Sequence, residues 1–113
     1  MTTADVAAAY MNARAAKDLS ALRALLADDL HFQDPLDTFT TAVQFEASMD
    51  RLFSGLIRRI VEQEALVDGD RAAIFSVWDT AAGQARFAER LIVKDDRVTD
   101  IQAYFDARPF ARD

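Results

Sequence analysis

The chain has 113 residues, 51% hydrophobic and 28% charged, which excludes a disordered chain and fits one domain over 1–113. Its net charge of −6 argues against a free-standing nucleic-acid binder, whose affinity comes mostly from neutralising phosphate. With no cysteine and one histidine, the sequence offers no disulfide framework, no thiol nucleophile and no common multi-histidine metal site.

Thr3 to Lys17 reads as a helix: it is rich in alanine, and Val6, Tyr10 and Ala13 fall at i, i+4 and i+7 on one face. Arg14 and Lys17 break the apolar opening, so no signal peptide and no membrane span is expected, and a cytoplasmic setting is. Asp18 is placed to cap a second short helix with Leu22, Leu25 and Leu26 as its apolar stripe. Leu30 to Gln33 is a short strand, ended by the turn signal Asp34-Pro35. His31 is one residue off the parity of Phe32 and Asp34 and is expected to face outward.

Thr41 and Gln44 fit a capping box, followed by a third helix whose buried face carries Phe45, Met49, Leu52, Phe53 and Leu56, with Gly55 as its stop. From Ile57 the period changes to two. Ile57 to Val67 is a strand with Val61, Ala65 and Val67 on one face, and Arg58-Arg59 is its solvated start. Asp68-Gly69-Asp70 turns the chain into Arg71–Thr80, apolar on both faces, with Ile74 and Trp78 on one and Phe75 and Val77 on the other. Ala85 to Lys94 alternates with Phe87, Leu91 and Val93 on one side; Asp95-Asp96 turns again; Val98 to Phe105 aligns Ile101, Ala103 and Phe105. Helices followed by an antiparallel meander describe an α+β fold with helices on one face of a curved sheet. A strand apolar on both faces needs a second cover, so a homodimer through the outer sheet face is expected, with Tyr104 on that face.

The stretch from Tyr10 to Asp34-Pro35 resembles the N-terminal part of the ketosteroid isomerases, and the ending from Asp95-Asp96 to Phe105 resembles their last hairpin. The resemblance places nearly the whole chain in the α+β cone superfamily that includes nuclear transport factor 2, SnoaL-like polyketide cyclases and limonene epoxide hydrolase. It implies three N-terminal helices in the concavity of a mainly antiparallel sheet. In the isomerases a first-helix tyrosine holds the substrate oxyanion and an aspartate before a proline is the general base. Tyr10 and Asp34 match those places without a gap. A protonated acid on a later strand donates a second hydrogen bond to the oxyanion. Carrying it over needs a one-residue deletion in the Asp95-Asp96 turn; the alternation of Phe87, Leu91 and Val93 then places Glu89 there, whereas without the deletion Ala88 would stand in its place. Glutamate for aspartate is a departure, and so is Met49 or Ser48 near the place of a supporting third-helix tyrosine.

The implied activity is proton transfer on a small apolar carbonyl compound, steroid- or polyketide-like, with no cofactor. Asp34 is the base, and Tyr10 and a neutral Glu89 are the oxyanion donors. Phe32, Met49, Phe53, Ile74, Trp78, Phe87, Leu91, Ile101, Ala103 and Phe105 are the expected pocket walls. The acidic pairs Asp28-Asp29 and Asp95-Asp96 lie in turns and gather too few oxygens for a metal. Two other readings share the fold: a module that binds an apolar ligand without chemistry, and an assembly domain whose cone is filled by Phe32, Phe53 and Trp78.

Overall fold

The computed structural model describes residues 1–110. Helix α1 spans Thr3–Ala15 and opens with a capping box: Thr2 Oγ1 accepts the Asp5 N–H while the Asp5 carboxylate accepts the Thr2 N–H. Asp18 caps α2 (Leu19–Ala24) by accepting the Ala21 N–H. Between them Lys17 takes a left-handed φ of 55°, and its Nζ donates to the carbonyls of Phe53 and Ile57. The corner of the two helices is thus tied to the end of α3 (Ala42–Gly55), where orphan carbonyls favour a cation. Thr41 caps α3 as expected, but Gln44 closes the motif on the Thr40 N–H instead of that of Thr41.

The α2 stripe is shorter than its leucines imply. Leu25 is the C-cap, and Leu26 already opens strand β1 (Leu26–Gln33), four residues earlier than expected from Leu30. After Asp34-Pro35 the chain adds a two-residue strand, β2 (Thr38–Phe39), too short to carry a periodic signal. Then follow β3 (Ile57–Asp68), β4 (Arg71–Thr80), β5 (Gly83–Lys94), β6 (Arg97–Phe105) and a 3-10 turn at Arg108–Phe110. Asp95 and Asp96 both have positive φ, as a two-residue hairpin of the primed type requires, and Gly69 supplies the same freedom in the β3–β4 turn.

The six strands form one sheet in the order β2-β1-β6-β5-β4-β3. The meander β3 to β6 is antiparallel, while β1 runs parallel to β6, so the N-terminal strand closes against the C-terminal one. The fold is α+β, with α1 lying on β3, β4 and β5 and α3 on β1 and β3. Bulges bend the sheet around them. Two interrupt β3, at Ile57/Arg59 and Ile60/Glu62, and the second shifts the strand's parity. Ile60 pairs with the inward Trp78, and Val61, expected on one face with Ala65 and Val67, falls at the bulge and is 40% exposed. Among the described residues no helix is long and apolar enough to cross a membrane.

On β4 every second residue from Ala72 to Thr80 is buried, while Phe75 of the other face is 45% exposed. The register pairs Ile74 with Glu89 and Glu89 with Ala103, so Glu89 shares the inner face with two apolar neighbours and Ala88 takes the outer one.

Candidate active site

A cavity of about 380 Å³ opens at one end of the inner face, within the size range of small-molecule sites. The sheet gives it Trp78 and Thr80 from β4, Phe87 and Glu89 from β5, and Ala103 and Phe105 from β6. Helix α3 and its C-cap Leu56 add Phe45, Ser48, Met49, Leu52 and Leu56 along one side. Phe32 and Asp34 enter at the end of β1, and Phe110 of the 3-10 turn closes a further side. Trp78, Phe87 and Phe105 form a continuous aromatic wall, with successive centroids 4.1 and 4.9 Å apart, and Phe110 stands edge-on to Phe105 at 5.8 Å.

Of the ten expected wall residues, Phe32, Met49, Trp78, Phe87, Ala103 and Phe105 line the cavity. Ile74, Leu91 and Ile101 have the right parity but are at most 1% exposed and belong to the packed core, and Phe53 is buried beside the α3 lining face. Strand alternation assigns a residue to a face, not to a position along it. The part of that face that carries Ala72, Leu91 and Ile101 is fully packed, and the cavity opens over the part that carries Thr80 and Phe105.

The polar end of the cavity is built around Arg14, a residue that spacing arguments passed over. Its guanidinium is 1% exposed and forms a salt bridge with Glu89 Oε2 through Nη1. The same Nη1 reaches the Tyr10 hydroxyl at 3.4 Å, and Nη2 donates to Gln63 Oε1 at 3.0 Å. Gln63 in turn donates from Nε2 to the Met11 carbonyl at 3.0 Å, which fixes its amide orientation. The guanidinium carbon lies 4.9 Å from the Tyr10 ring centroid and 5.1 Å from that of Trp78, so two π faces flank the charge. Burial, the largest single influence, works against the Arg14 charge, but Glu89 and Tyr10 together oppose it and the pKa rises. The sequence did hold a signal: Arg14 lies four residues after Tyr10, on the stripe that carries Val6 and Tyr10 into the core.

This network changes the parts implied for Tyr10 and Glu89. The Tyr10 hydroxyl donates to Glu89 Oε1 at 3.0 Å, and Tyr10 is fully buried without lining the cavity. Burial first, and the Glu89 charge second, push its pKa well above the ordinary phenol value, so it stays a protonated donor. Glu89 does line the cavity, but it accepts from Arg14 and Tyr10. A carboxyl in a salt bridge is an acceptor, unlike the neutral donor expected of it.

Asp34 lies on the same cavity, half-buried. Its Oδ1 accepts the N–H groups of Leu36 at 2.8 Å and Asp37 at 2.7 Å, the side-chain turn that Asp-Pro favours. Among the described residues nothing donates to Oδ2. Burial raises its pKa above the ordinary aspartate value; the two N–H groups oppose the rise and the nearby Asp37 charge adds to it. His31 is exposed on the outer side, as its parity implies. The structure therefore gathers one carboxylate with a free oxygen, an apolar chamber and a buried ion pair.

Residues 7–101 match the model of the SnoaL-like domain. The chain belongs to that family. Solved structures share the fold of this SnoaL-like domain at low identity. An NTF2-like protein of unknown function from Cytophaga hutchinsonii is 15% identical, with a TM-score of 0.84 over 97% of this chain and 95% of that one. A candidate polyketide cyclase from Pseudomonas putida is 19% identical, with a TM-score of 0.84 over 97% and 96%. A candidate ketosteroid isomerase from Kribbella flavida is 18% identical, with a TM-score of 0.82 over 92% of this chain and 77% of that one. No curated protein matches the chain in sequence.

Proposed function

We propose that this SnoaL-like domain is a cofactor-independent enzyme that moves a proton on a small apolar carbonyl compound, with Asp34 as the general base. One observation carries the reading: a half-buried carboxylate with an unoccupied oxygen lines the same apolar cavity as a buried, paired cation. Asp34 Oδ2 takes a proton from the carbon next to the carbonyl. The C–H electron pair becomes the C=C bond of an enolate, and the carbonyl π pair moves to oxygen. In a β,γ-unsaturated ketone, return of the proton to the γ carbon completes an isomerisation; attack of the same α carbon on a second carbonyl within the substrate, with the Asp34 proton passing to the new alkoxide, completes a ring closure. The raised pKa of Asp34 makes it a stronger base than a free aspartate.

The experiment is deuterium incorporation from D2O into 1-tetralone, followed by proton NMR, with the wild-type protein and Asp34→Asn. It reads α-proton removal without knowledge of the natural substrate. Exchange above the buffer rate that disappears in Asp34→Asn supports the reading; exchange equal in the two proteins overturns it. The second reading, a binding module, rests on Tyr10 and Glu89 being bonded to each other and so not free for a ligand. It predicts that ring compounds bind while no exchange occurs.

A further inference from the structure

We infer that Arg14 is the group that holds the substrate's oxygen, and that the cavity selects neutral ring ketones over both the matching hydrocarbon and the matching carboxylate. The inference builds on the proton-transfer reading but stands on its own geometry. A guanidinium carries five N–H donors. In Arg14 both Nη1 hydrogens are taken, by Glu89 and Tyr10, and one Nη2 hydrogen by Gln63. One Nη2 hydrogen is left over, and Nε is buried with no partner at all. Nε has almost no accessible surface, so the donor left for a ligand is the remaining Nη2 hydrogen: Arg14 lines the cavity, and an acceptor arriving there completes the bonding of a buried charge. Neither Tyr10 nor Glu89 has a donor to offer, since the Tyr10 proton is committed to Glu89.

Charge decides which acceptor. The cavity is lined by two cations, Arg14 and Arg51, and three carboxylates, Asp34, Asp37 and Glu89. A ligand that arrives as an anion adds a charge to a site already carrying excess negative charge. A neutral ketone does not, and when its proton passes to Asp34 the negative charge moves from Asp34 to the ketone oxygen with no change in total. The oxygen then faces Arg14, where developing negative charge is stabilised in a dry site. The four-membered aromatic set Trp78, Phe87, Phe105 and Phe110 favours flat or fused rings for the rest of the molecule.

The chain has one tryptophan, and it lies both on the cavity and over Arg14, so its fluorescence reports occupancy. Three probes of similar size, 1-tetralone, tetralin and 2-naphthoate, are titrated into wild-type protein and Arg14→Lys at pH 7. Lysine keeps the charge and a partner for Glu89 but has no Nη2 donor for the ligand. The ketone is expected to bind wild type roughly tenfold or more tighter than tetralin, as expected for a site built to hydrogen-bond an oxygen, and tighter than the carboxylate. In Arg14→Lys the ketone advantage falls toward unity while tetralin affinity is retained. Equal binding of ketone and hydrocarbon by wild type, a ketone preference that survives Arg14→Lys, or tighter binding of 2-naphthoate overturns the inference. Should the lysine variant not fold, the Arg14 Nη2–H resonances of 15N-labelled wild type decide: they shift on adding 1-tetralone but not tetralin, and unmoved resonances overturn the assignment. Ketone preference without deuterium exchange sinks proton transfer and leaves the anchor; exchange without ketone preference does the reverse.

Discussion

Arg14 on the first helix and Glu89 on the fifth strand, 75 residues apart in sequence, form a salt bridge that is almost completely removed from solvent. Two charges taken out of water gain from each other but lose their hydration, so the pair adds little net stability compared with apolar residues that fill the same space. Removing one partner is a different matter, because the other is then left charged, buried and alone.

Glu89→Ala is therefore expected to destabilise the fold by about 3–5 kcal/mol, whereas the double variant Arg14→Met, Glu89→Leu recovers most of that loss. Urea unfolding followed by far-UV circular dichroism measures both. A loss below 1 kcal/mol for Glu89→Ala is the result that contradicts the buried pair.

Asp34→Asn should lower turnover by about 10²–10⁴-fold with little change in ligand affinity, since a general base acts in the transition state. The variant should be at least as stable as wild type at pH 7. Its amide oxygen still accepts the Leu36 and Asp37 N–H groups, and no charge is left to desolvate. Urea midpoints and the exchange rate, measured on the same samples, separate lost chemistry from lost folding.

The pH profile follows from the raised Asp34 pKa. Only the ionised form is a base, so the rate climbs with pH, and its acid limb lies above the ordinary aspartate value of 3.8. The stability effect has the opposite sign. A folded-state pKa above the unfolded one means that protonation favours folding, so Asp34's contribution is present below the unfolded value and is lost as pH rises through the folded value. Asp34→Asn should flatten that component of the stability profile in urea titrations run from acid to neutral pH.

Phe110→Ala should weaken 1-tetralone binding by roughly 2–10-fold, the worth of one edge-on aromatic contact. Stability should change little, since the residue sits in a short terminal turn beyond the last strand. Tryptophan fluorescence titration gives the affinity and the thermal midpoint gives the stability.

On the outer face of the sheet the register sets Phe75, Ala88 and Tyr104 in one row, with Phe75 45% and Tyr104 58% exposed. We propose that this face closes a homodimer, because an apolar strip of that kind on a free sheet invites association. Light scattering should give twice the 12.6 kDa chain mass at micromolar concentration, and Phe75→Glu with Tyr104→Lys should return the monomer. A wild-type monomer at that concentration rules the dimer out.

The sequence by itself determined most of the secondary structure. Local chemistry did this: Asp18 and Thr41 cap helices by reaching backbone donors three residues on, and the alternation in 85–94 turns Glu89 to the face of Phe87 and Leu91. Asp34-Pro35 is legible for the same reason, since its turn is made by its own neighbours. Only the tertiary structure decided what depends on distant residues meeting. The parallel pairing of β1 with β6, the β3 bulge at Val61, and the end of the sheet left open as a cavity have no local signature. Nor does the fate of the Glu89 carboxylate. Its partner is a guanidinium 75 residues away, and the chain brings Arg14 there only when α1 lies down across β3, β4 and β5.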